Sequence, residues 1–113
     1  MTGKKNLSDI FAGFVATQDG KAIPQEVRNS AKLLMLDAIG NAYAATRFEF
    51  AHKGLTALQG LSSGDARVIG MPARLALRDA ILMNGMLVHG LDFDDTYLPG
   101  SAHLTAKIGR AHV

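Results

Sequence analysis

The chain has 113 residues, of which 48% are hydrophobic and 19% charged, with a formal net charge of +2 and no cysteine. This length fits one domain with a modest core, and the composition favours a folded chain over a disordered one. The lack of cysteine excludes disulfides and thiolate metal sites, and so small a charge does not indicate a nucleic-acid partner. Because no apolar run reaches the ~18 residues of a membrane span and no signal-peptide core is present, we expect a cytoplasmic protein that binds neither nucleic acid nor membrane.

Three helices are predicted in the first half of the chain, where apolar residues recur at steps of three and four. Ser8 is expected to cap the first helix, which ends at the Asp19 turn. Pro24 is expected at the first position of the second helix, which runs to Thr46. A third helix is predicted for residues 50–61. The faces expected to turn inward comprise Ile10, Phe11, Phe14 and Val15 in the first helix, Val27, Ala31, Leu34, Ala38 and Ala42 in the second, and Leu55 and Leu58 in the third.

Small residues near the end of the second helix predict a close contact with another helix. Gly40 in a helix interior costs about 1 kcal/mol relative to alanine, so a packing role would account for it. Ala42, Ala44 and Ala45 extend the same small-residue surface. We therefore expect a second helix to approach closely here.

The second half begins with a strand-like run, residues 66–70, that is too short to predict a sheet. Apolar residues from Leu75 to Val88 then fill nearly all sides of a helix, so we expect this helix to be buried almost completely. A chain of this length can hardly surround a central helix. We therefore expect its partner helices to come from a continuation of the protein or from another subunit.

The last seven residues, Lys107 to Val113, form a separate segment in our interpretation. They can be encoded by AAG ATC GGA AGA GCA CAC GTC, followed by TGA, which is a common sequencing-adapter sequence. We therefore expect residues 107–113 to be a non-native tail and residues 1–106 to be the N-terminal portion of a truncated domain. Source DNA in which these codons continue into a longer reading frame would contradict this expectation.

The densest group of ionisable side chains follows the apolar helix, where His89 is succeeded by three aspartates within four residues. Carboxylates this close repel one another and resist burial, so solvent, a cation, hydrogen-bond donors or a catalytic use must offset the cost. His89 and Asp92 would share one helix face if the helix continues, and Asp94 and Asp95 could add oxygen ligands for Mg²⁺. Metal binding is therefore one hypothesis.

A second hypothesis is phosphoryl transfer, because Asp92 to Thr96 fit the DxDxT pattern of haloacid-dehalogenase-like phosphatases, with Asp92 as nucleophile and Asp94 as acid and base. Such enzymes need a strand directly before Asp92. The run that precedes it is long, rich in alanine, methionine and leucine, and interrupted by Asn84-Gly85, which argues against a strand. Two alternatives without catalysis are a solvated helix end whose aspartates cap a turn and a helical interaction module.

The whole stretch resembles the MmgE/PrpD family, whose reactions include dehydration of 2-methylcitrate, decarboxylation of cis-aconitate and an epimerisation. The motif that carries the resemblance comprises Asn84-Gly85, His89, Leu91 to Thr96, Leu98-Pro99-Gly100 and His103. The resemblance extends upstream through the first two helices and Val68-Ile69-Gly70, and it covers residues 1–106.

This resemblance implies an all-α fold, in which residues 1–106 are the N-terminal portion of a helical domain that a smaller α/β domain completes in full-length members. It also implies a homodimer without a required metal or organic cofactor. The implied catalytic residues are Asp92, Thr96 and His103, with Asp92 and His103 binding a small polycarboxylate and with Asn84, His89, Asp94 and Asp95 supporting the motif.

The activity that the resemblance implies is that of a carbon–oxygen lyase, which dehydrates a 2-methylcitrate-like substrate by general acid–base chemistry. Decarboxylation and epimerisation are the alternatives within the family. From the residues alone, His89 is expected to be hydrogen-bonded within the packed helix, and His52 is expected on the surface. The chain by itself is expected to be inactive, because other pocket residues would lie beyond it.

Overall fold

The computed structural model describes residues 6–108, and the chain divides into two compact units, Met1–Ser30 and Ala31–Val113. The first unit contains helix α1 (Leu7–Thr17), a 3₁₀ turn at Gly20–Ala22 and the beginning of α2 (Gln25–Ala45). Helix α1 is confirmed, but every residue of it is exposed in the described structure, so its apolar face is not turned inward as expected.

The caps of α1 and α2 differ by a residue or two from those predicted. Asn6 rather than Ser8 caps α1, because the Asn6 side chain accepts a hydrogen bond from the backbone N–H of Asp9 at 2.8 Å. Pro24 lies directly before α2, and its carbonyl accepts the N–H of Arg28 at 3.1 Å. Its missing N–H therefore costs the helix no hydrogen bond.

The second unit consists of helices joined by short hairpins, which confirms the predicted all-α class. After α2 come α3 (Glu49–Gln59), strands β1 (Ala66–Arg67) and β2 (Arg74–Leu75), α4 (Leu77–His89), β3 (Thr96–Tyr97), a 3₁₀ turn (Leu98–Gly100), β4 (Ala102–His103) and α5 (Leu104–Ile108). Each strand pair is antiparallel and only two residues long, with β1 on β2 and β3 on β4. No helix of residues 6–108 is both long and apolar enough to cross a bilayer.

The core of this unit is formed mainly by residues of α2, α3 and α4, and each of the three helices contributes a buried alanine. Ala42 and Ala45 are fully buried, which agrees with the predicted small-residue surface, whereas Ala44 is exposed and a side chain at Gly40 would meet nothing within 4 Å among the described residues. The buried hydrophobic set comprises Ala38, Ala42, Ala45, Ala51, Leu58, Val68, Leu75, Ala80, Met83, Leu87, Val88 and Ala106.

Helix α4 is buried or partly buried at every position from Met83 to Val88, which largely agrees with the prediction, whereas its first turn is more exposed. Met83 and Leu87 are completely buried, whereas Leu77 and Leu82 remain exposed in the described structure. Leu75, expected within this helix, instead pairs with Ala66 across the β1–β2 hairpin. The C-terminal half of the helix is therefore the more buried half, and the residues of the acidic motif follow it.

A buried carboxylate ties the start of α4 to the loop before the first hairpin. Asp79 accepts a hydrogen bond from Arg78 Nε at 2.9 Å and from the Ser62 hydroxyl at 2.5 Å. The Arg78 hydrogen bond, followed by the Ser62 hydrogen bond, holds the pKa of Asp79 below its usual value even though burial acts in the opposite direction, and Asp79 in turn raises the pKa of Arg78.

Candidate active site

The site begins where α4 ends, at His89. Gly90 follows as the C-cap, and a Cβ atom at this position would lie 2.7 Å from the Met86 carbonyl oxygen and would overlap the Phe50 ring. Only glycine therefore lets Phe50 of α3 pack against the end of α4. This contact lies at the point where the helix ends.

Asp92, in the turn that follows the helix, has an unusual backbone conformation. Its φ of 57° is in the left-handed region, which is uncommon outside glycine but more accessible to aspartate and asparagine. Its N–H donates to the His89 carbonyl at 2.8 Å, while its side chain is 78% exposed. Because the helix stops at His89, Asp92 does not share a helix face with it, so that part of the metal hypothesis is wrong.

Asp94 lies at the centre of the cluster, with only 4% of its surface exposed. One carboxylate oxygen, Oδ1, lies 3.0 Å from His89 Nδ1 and 3.2 Å from His103 Nδ1. The other ring nitrogen of His103, Nε2, lies 3.5 Å from Asp92 Oδ1. The two imidazole rings meet edge to face, with centroids 4.7 Å apart. Two aspartates and two histidines thus form one connected group, the histidine–aspartate cluster.

The β3–β4 hairpin brings His103 back to this cluster. Thr96 pairs with His103 in the antiparallel register, so both residues lie on the same face of the hairpin. Asp95 braces the return, because its Oδ1 accepts a hydrogen bond from the backbone N–H of Thr105 at 3.1 Å. The two aspartates therefore have different contacts. Asp94 faces the histidines, and Asp95 binds the backbone at the start of α5.

A cavity of about 450 Å³ opens beside the cluster, which is within the size range of small-molecule sites. His89 and His103 form its polar wall. The complete lining comprises Phe50, Gly85, Met86, His89, Gly90, Ser101, Ala102, His103 and Ala106. Asp92 and Thr96 are beside the cavity wall rather than among the lining residues.

The same cluster could hold a divalent cation by the criterion of ligand distance. His89, Asp92, Asp94 and His103 each offer one ligand atom, and these atoms all lie within 4.8 Å of one another. Asp95 is outside this set, in contrast to the ligands that the sequence suggested. Because the four groups also contact one another directly as ion-pair and hydrogen-bond partners, their proximity does not require a metal.

The structure brings together most of the residues that the sequence singled out. Asp92, Asp94, His89 and His103 meet in the cluster, and Thr96 is opposite His103. Asn84 is elsewhere: it is buried on the inner side of α4, where it binds the backbone next to β1. His52 is exposed on α3, as predicted.

Sequence reasoning missed two features of the site. His89 was expected within a packed helix, but it is half-exposed at the helix end and lines the cavity. Phe50 was not considered a site residue, although it forms the apolar wall. The steric match between Phe50 and Gly90, 40 positions along the chain, is a tertiary contact for which the sequence carries no local signal.

These observations define a helical domain with a histidine–aspartate cluster at the wall of a cavity. The chain belongs to the MmgE/PrpD family, since the MmgE/PrpD N-terminal domain model matches residues 9–109. A curated relative, the cis-aconitate decarboxylase of Mus musculus, is 29% identical over 99 residues, which are 86% of this chain and 20% of the relative. The chain thus spans about a fifth of that relative's length. No solved structure matches it significantly.

A helix precedes Asp92 in this chain. This argues against the phosphatase hypothesis, because a DxDxT phosphatase would have a strand there. Of the expected non-native tail, residues 107–113, the last five lie outside the described residues and the first two end α5, and the origin of the tail stays a prediction.

Proposed function

We propose that this chain is the N-terminal part of a lyase that removes water from a 2-methylcitrate-like polycarboxylate by general acid–base chemistry. In the proposal, Asp92, Thr96 and His103 are catalytic, and Asp92 and His103 also bind the substrate. The full-length protein acts as a cytoplasmic homodimer without a metal or an organic cofactor. The observation that carries the proposal is the meeting of His103 with two aspartates beside a cavity of suitable size.

The reaction needs a base for a carbon-bound proton and an acid for the departing hydroxyl group. A base removes the proton from the carbon beside a carboxylate, the electron pair forms the carbon–carbon double bond, and the hydroxyl leaves as water after it gains a proton. His103 suits the proton transfer, because imidazole titrates close to neutral pH. Asp92, 3.5 Å from His103 Nε2, is placed to exchange a proton with it directly or through the substrate.

Thr96 is proposed to donate a hydrogen bond to the negative charge that develops on the substrate. It lies opposite His103 on the same face of the hairpin, so a substrate that reaches the imidazole also comes near the Thr96 hydroxyl. A polycarboxylate needs positive charge or hydrogen-bond donors around it. The two histidines of the cavity wall supply donors, and they supply charge when protonated.

A second candidate is decarboxylation of a cis-aconitate-like substrate. The observation that favours it is the similarity to cis-aconitate decarboxylase across 86% of this chain. The two reactions share a small polycarboxylate substrate and a proton transfer beside a carboxylate, so the same cluster could serve either. Pocket walls formed by other parts of a full-length protein would decide between them.

The proposal is tested in the full-length protein, recovered from source DNA and assayed against a panel of polycarboxylates that includes 2-methylcitrate and cis-aconitate. Asp92→Asn, Thr96→Val and His103→Gln are each expected to lower kcat/KM by about 10²-fold or more. Asn is the right replacement at Asp92, because it also tolerates the left-handed backbone. His52→Gln, at an exposed histidine of α3, is the matched control and should retain normal turnover.

Near-normal turnover in all three variants would refute the assignment of the site. Release of CO₂ from cis-aconitate without dehydration of 2-methylcitrate would replace the first candidate by the second. The purified 113-residue chain is expected to show no turnover, because the proposal places further pocket residues beyond it. Dehydration of methylcitrate by that chain alone would contradict this expectation.

A further inference from the structure

We infer that Asp94 is a positioning residue, which holds His103 in the tautomer that carries its proton on Nδ1 and leaves Nε2 free to accept a proton. The inference rests on the proposed function, because it assigns Asp94 a part in the same acid–base chemistry. It goes further by giving a role to a carboxylate that the motif leaves unassigned.

The burial of Asp94 requires a physical reason. Its side chain is almost completely buried, and a buried carboxylate is costly unless hydrogen-bond donors or opposite charges surround it. Within residues 6–108, its carboxylate accepts no hydrogen bond from a backbone N–H, and the only ionisable groups that it contacts are His89 and His103. The carboxylate is therefore placed for the two imidazoles.

Asp95, unlike Asp94, braces the loop through a backbone hydrogen bond among the described residues. Asp95 is the next residue in the chain, and its carboxylate accepts the Thr105 N–H, which fixes the hairpin to α5. That contact already supplies a brace for the loop. Asp94 contributes no such backbone contact in the described structure, so bracing does not account for its burial.

The geometry at His103 gives the tautomer. His103 Nδ1 lies 3.2 Å from Asp94 Oδ1, and Nε2, on the other side of the ring, lies 3.5 Å from Asp92. Carboxylates thus lie beside both ring nitrogens, but Asp94 is the closer one and is buried, whereas Asp92 is exposed to water. A buried carboxylate gains more from an N–H donor, so the pair favours a proton on Nδ1. Nε2 then carries the lone pair and is the nitrogen that accepts a proton in the reaction.

His103 Nδ1 and Asp94 do not form an aligned hydrogen bond in this structure. The two atoms are at hydrogen-bond distance, but Nδ1 and the second oxygen of Asp94, Oδ2, are both buried without an aligned partner among the described residues. A rotation of the imidazole that aligns Nδ1 with the carboxylate would give Nδ1 a partner. Such catalytic hydrogen bonds are often poorly aligned before substrate binds.

The test uses the full-length protein labelled with ¹⁵N-histidine, with the His103 signals assigned by their loss in His103→Gln. The ¹⁵N shifts of the wild-type protein should report the Nδ1–H tautomer for His103. Asp94→Asn should move His103 toward the Nε2–H tautomer and lower kcat by about 10²- to 10⁴-fold, with KM changed much less. Asp95→Asn removes the same charge one residue away, and it should leave the His103 tautomer unchanged.

An Nε2–H tautomer in the wild-type protein would overturn the inference, and this measurement needs no variant that folds poorly. Unchanged kcat in Asp94→Asn, together with an inactive His103→Gln, would also overturn it while leaving the proposed function intact. Normal turnover in His103→Gln would instead refute the proposed role of His103, and the ¹⁵N shifts would still report whether Asp94 sets its tautomer.

Discussion

The side-chain oxygen of Asn84 accepts a hydrogen bond from the backbone N–H of Ile69 at 2.9 Å, across 15 positions of the chain. The amide nitrogen of the same side chain donates to the Arg67 carbonyl at 3.1 Å. One buried side chain therefore pairs with the carbonyl of the last β1 residue and with the N–H of the residue two positions further on. Because Asn84 lies on α4 only five residues before His89, it also joins the first hairpin to the helix that carries the site.

Replacement of Asn84 by alanine is expected to destabilise the chain by about 1–3 kcal/mol, because a partly buried backbone N–H and carbonyl would lose the side chain that pairs with both. The measurement is the free energy of unfolding by denaturant. The matched control is Asn41→Ala, which removes an exposed hydrogen bond to Asp37 and should cost about 0.5 kcal/mol or less. Equal losses of unfolding free energy in the two variants would show that the Asn84 hydrogen bonds contribute no more to stability than an exposed hydrogen bond does.

Two glycine substitutions should change stability in opposite directions. Gly90→Ala is expected to cost about 1–3 kcal/mol, because the new methyl group would overlap Phe50 and the Met86 carbonyl. Gly40→Ala, in the interior of α2 with open space at the Cβ position, is expected to stabilise the chain by up to about 1 kcal/mol. Thermal unfolding of both variants checks this. A stabilised Gly90→Ala variant would contradict the steric role of Gly90.

The Asp79 hydrogen bonds predict a specific dependence of stability on pH. The pKa of Asp79 is lower in the folded chain than its ordinary value of about 3.9, so its contribution is fully present above that pH and is lost as the pH falls below it. Asp79→Asn should therefore lower the melting temperature at pH 7, and the difference from the wild-type chain should shrink below about pH 4. A difference that stays constant with pH would contradict the prediction.

The Ser62 hydroxyl provides a second test of the same carboxylate. Ser62→Ala should lower stability at neutral pH in the same direction as Asp79→Asn, because it removes one of the two hydrogen bonds that hold the ionised form. Ser63→Ala is the matched control, since Ser63 is exposed and its hydroxyl forms no hydrogen bond among the described residues. Equal melting temperatures for the two serine variants would argue against a contribution from Ser62.

The full-length protein is expected to keep its turnover after dialysis against a chelator. The reason is that His89, Asp92, Asp94 and His103 have one another as partners, and the proposed acid–base chemistry needs no Lewis acid. The measurement is kcat/KM before and after chelation. A loss of turnover that one divalent cation restores would contradict the expectation and would identify these four residues as ligands instead.

Periodicity predicted the positions of the helices well, although α1 buries none of its apolar residues in the described structure. It could not predict which of two capping residues would begin α1: Asn6 and Ser8 are both good caps, and the structure uses Asn6. It also overestimated the burial of α4, since Leu77 and Leu82 are apolar yet exposed in the described structure. Apolar character allows burial but does not require it.

Residue identity predicted the members of the site, but their geometry depended on where one helix ends. His89 and Asp92 would share a face on a continuous helix. The packing of Phe50 on Gly90 coincides with the end of α4, and the left-handed backbone of Asp92 then turns its carboxylate toward His103. This depends on a contact between two helices, which no local pattern in the sequence contains.

The entire histidine–aspartate cluster is drawn from fifteen consecutive positions, His89 to His103. Closing so short a loop costs little entropy compared with joining distant segments. The proposed proton-transfer residues thus come from one short segment, whereas the walls that face a substrate's remaining atoms would be contributed from elsewhere. Sequence changes outside this segment can alter which molecule binds without separating the proposed acid–base residues. This offers a physical route by which one scaffold could serve several related reactions.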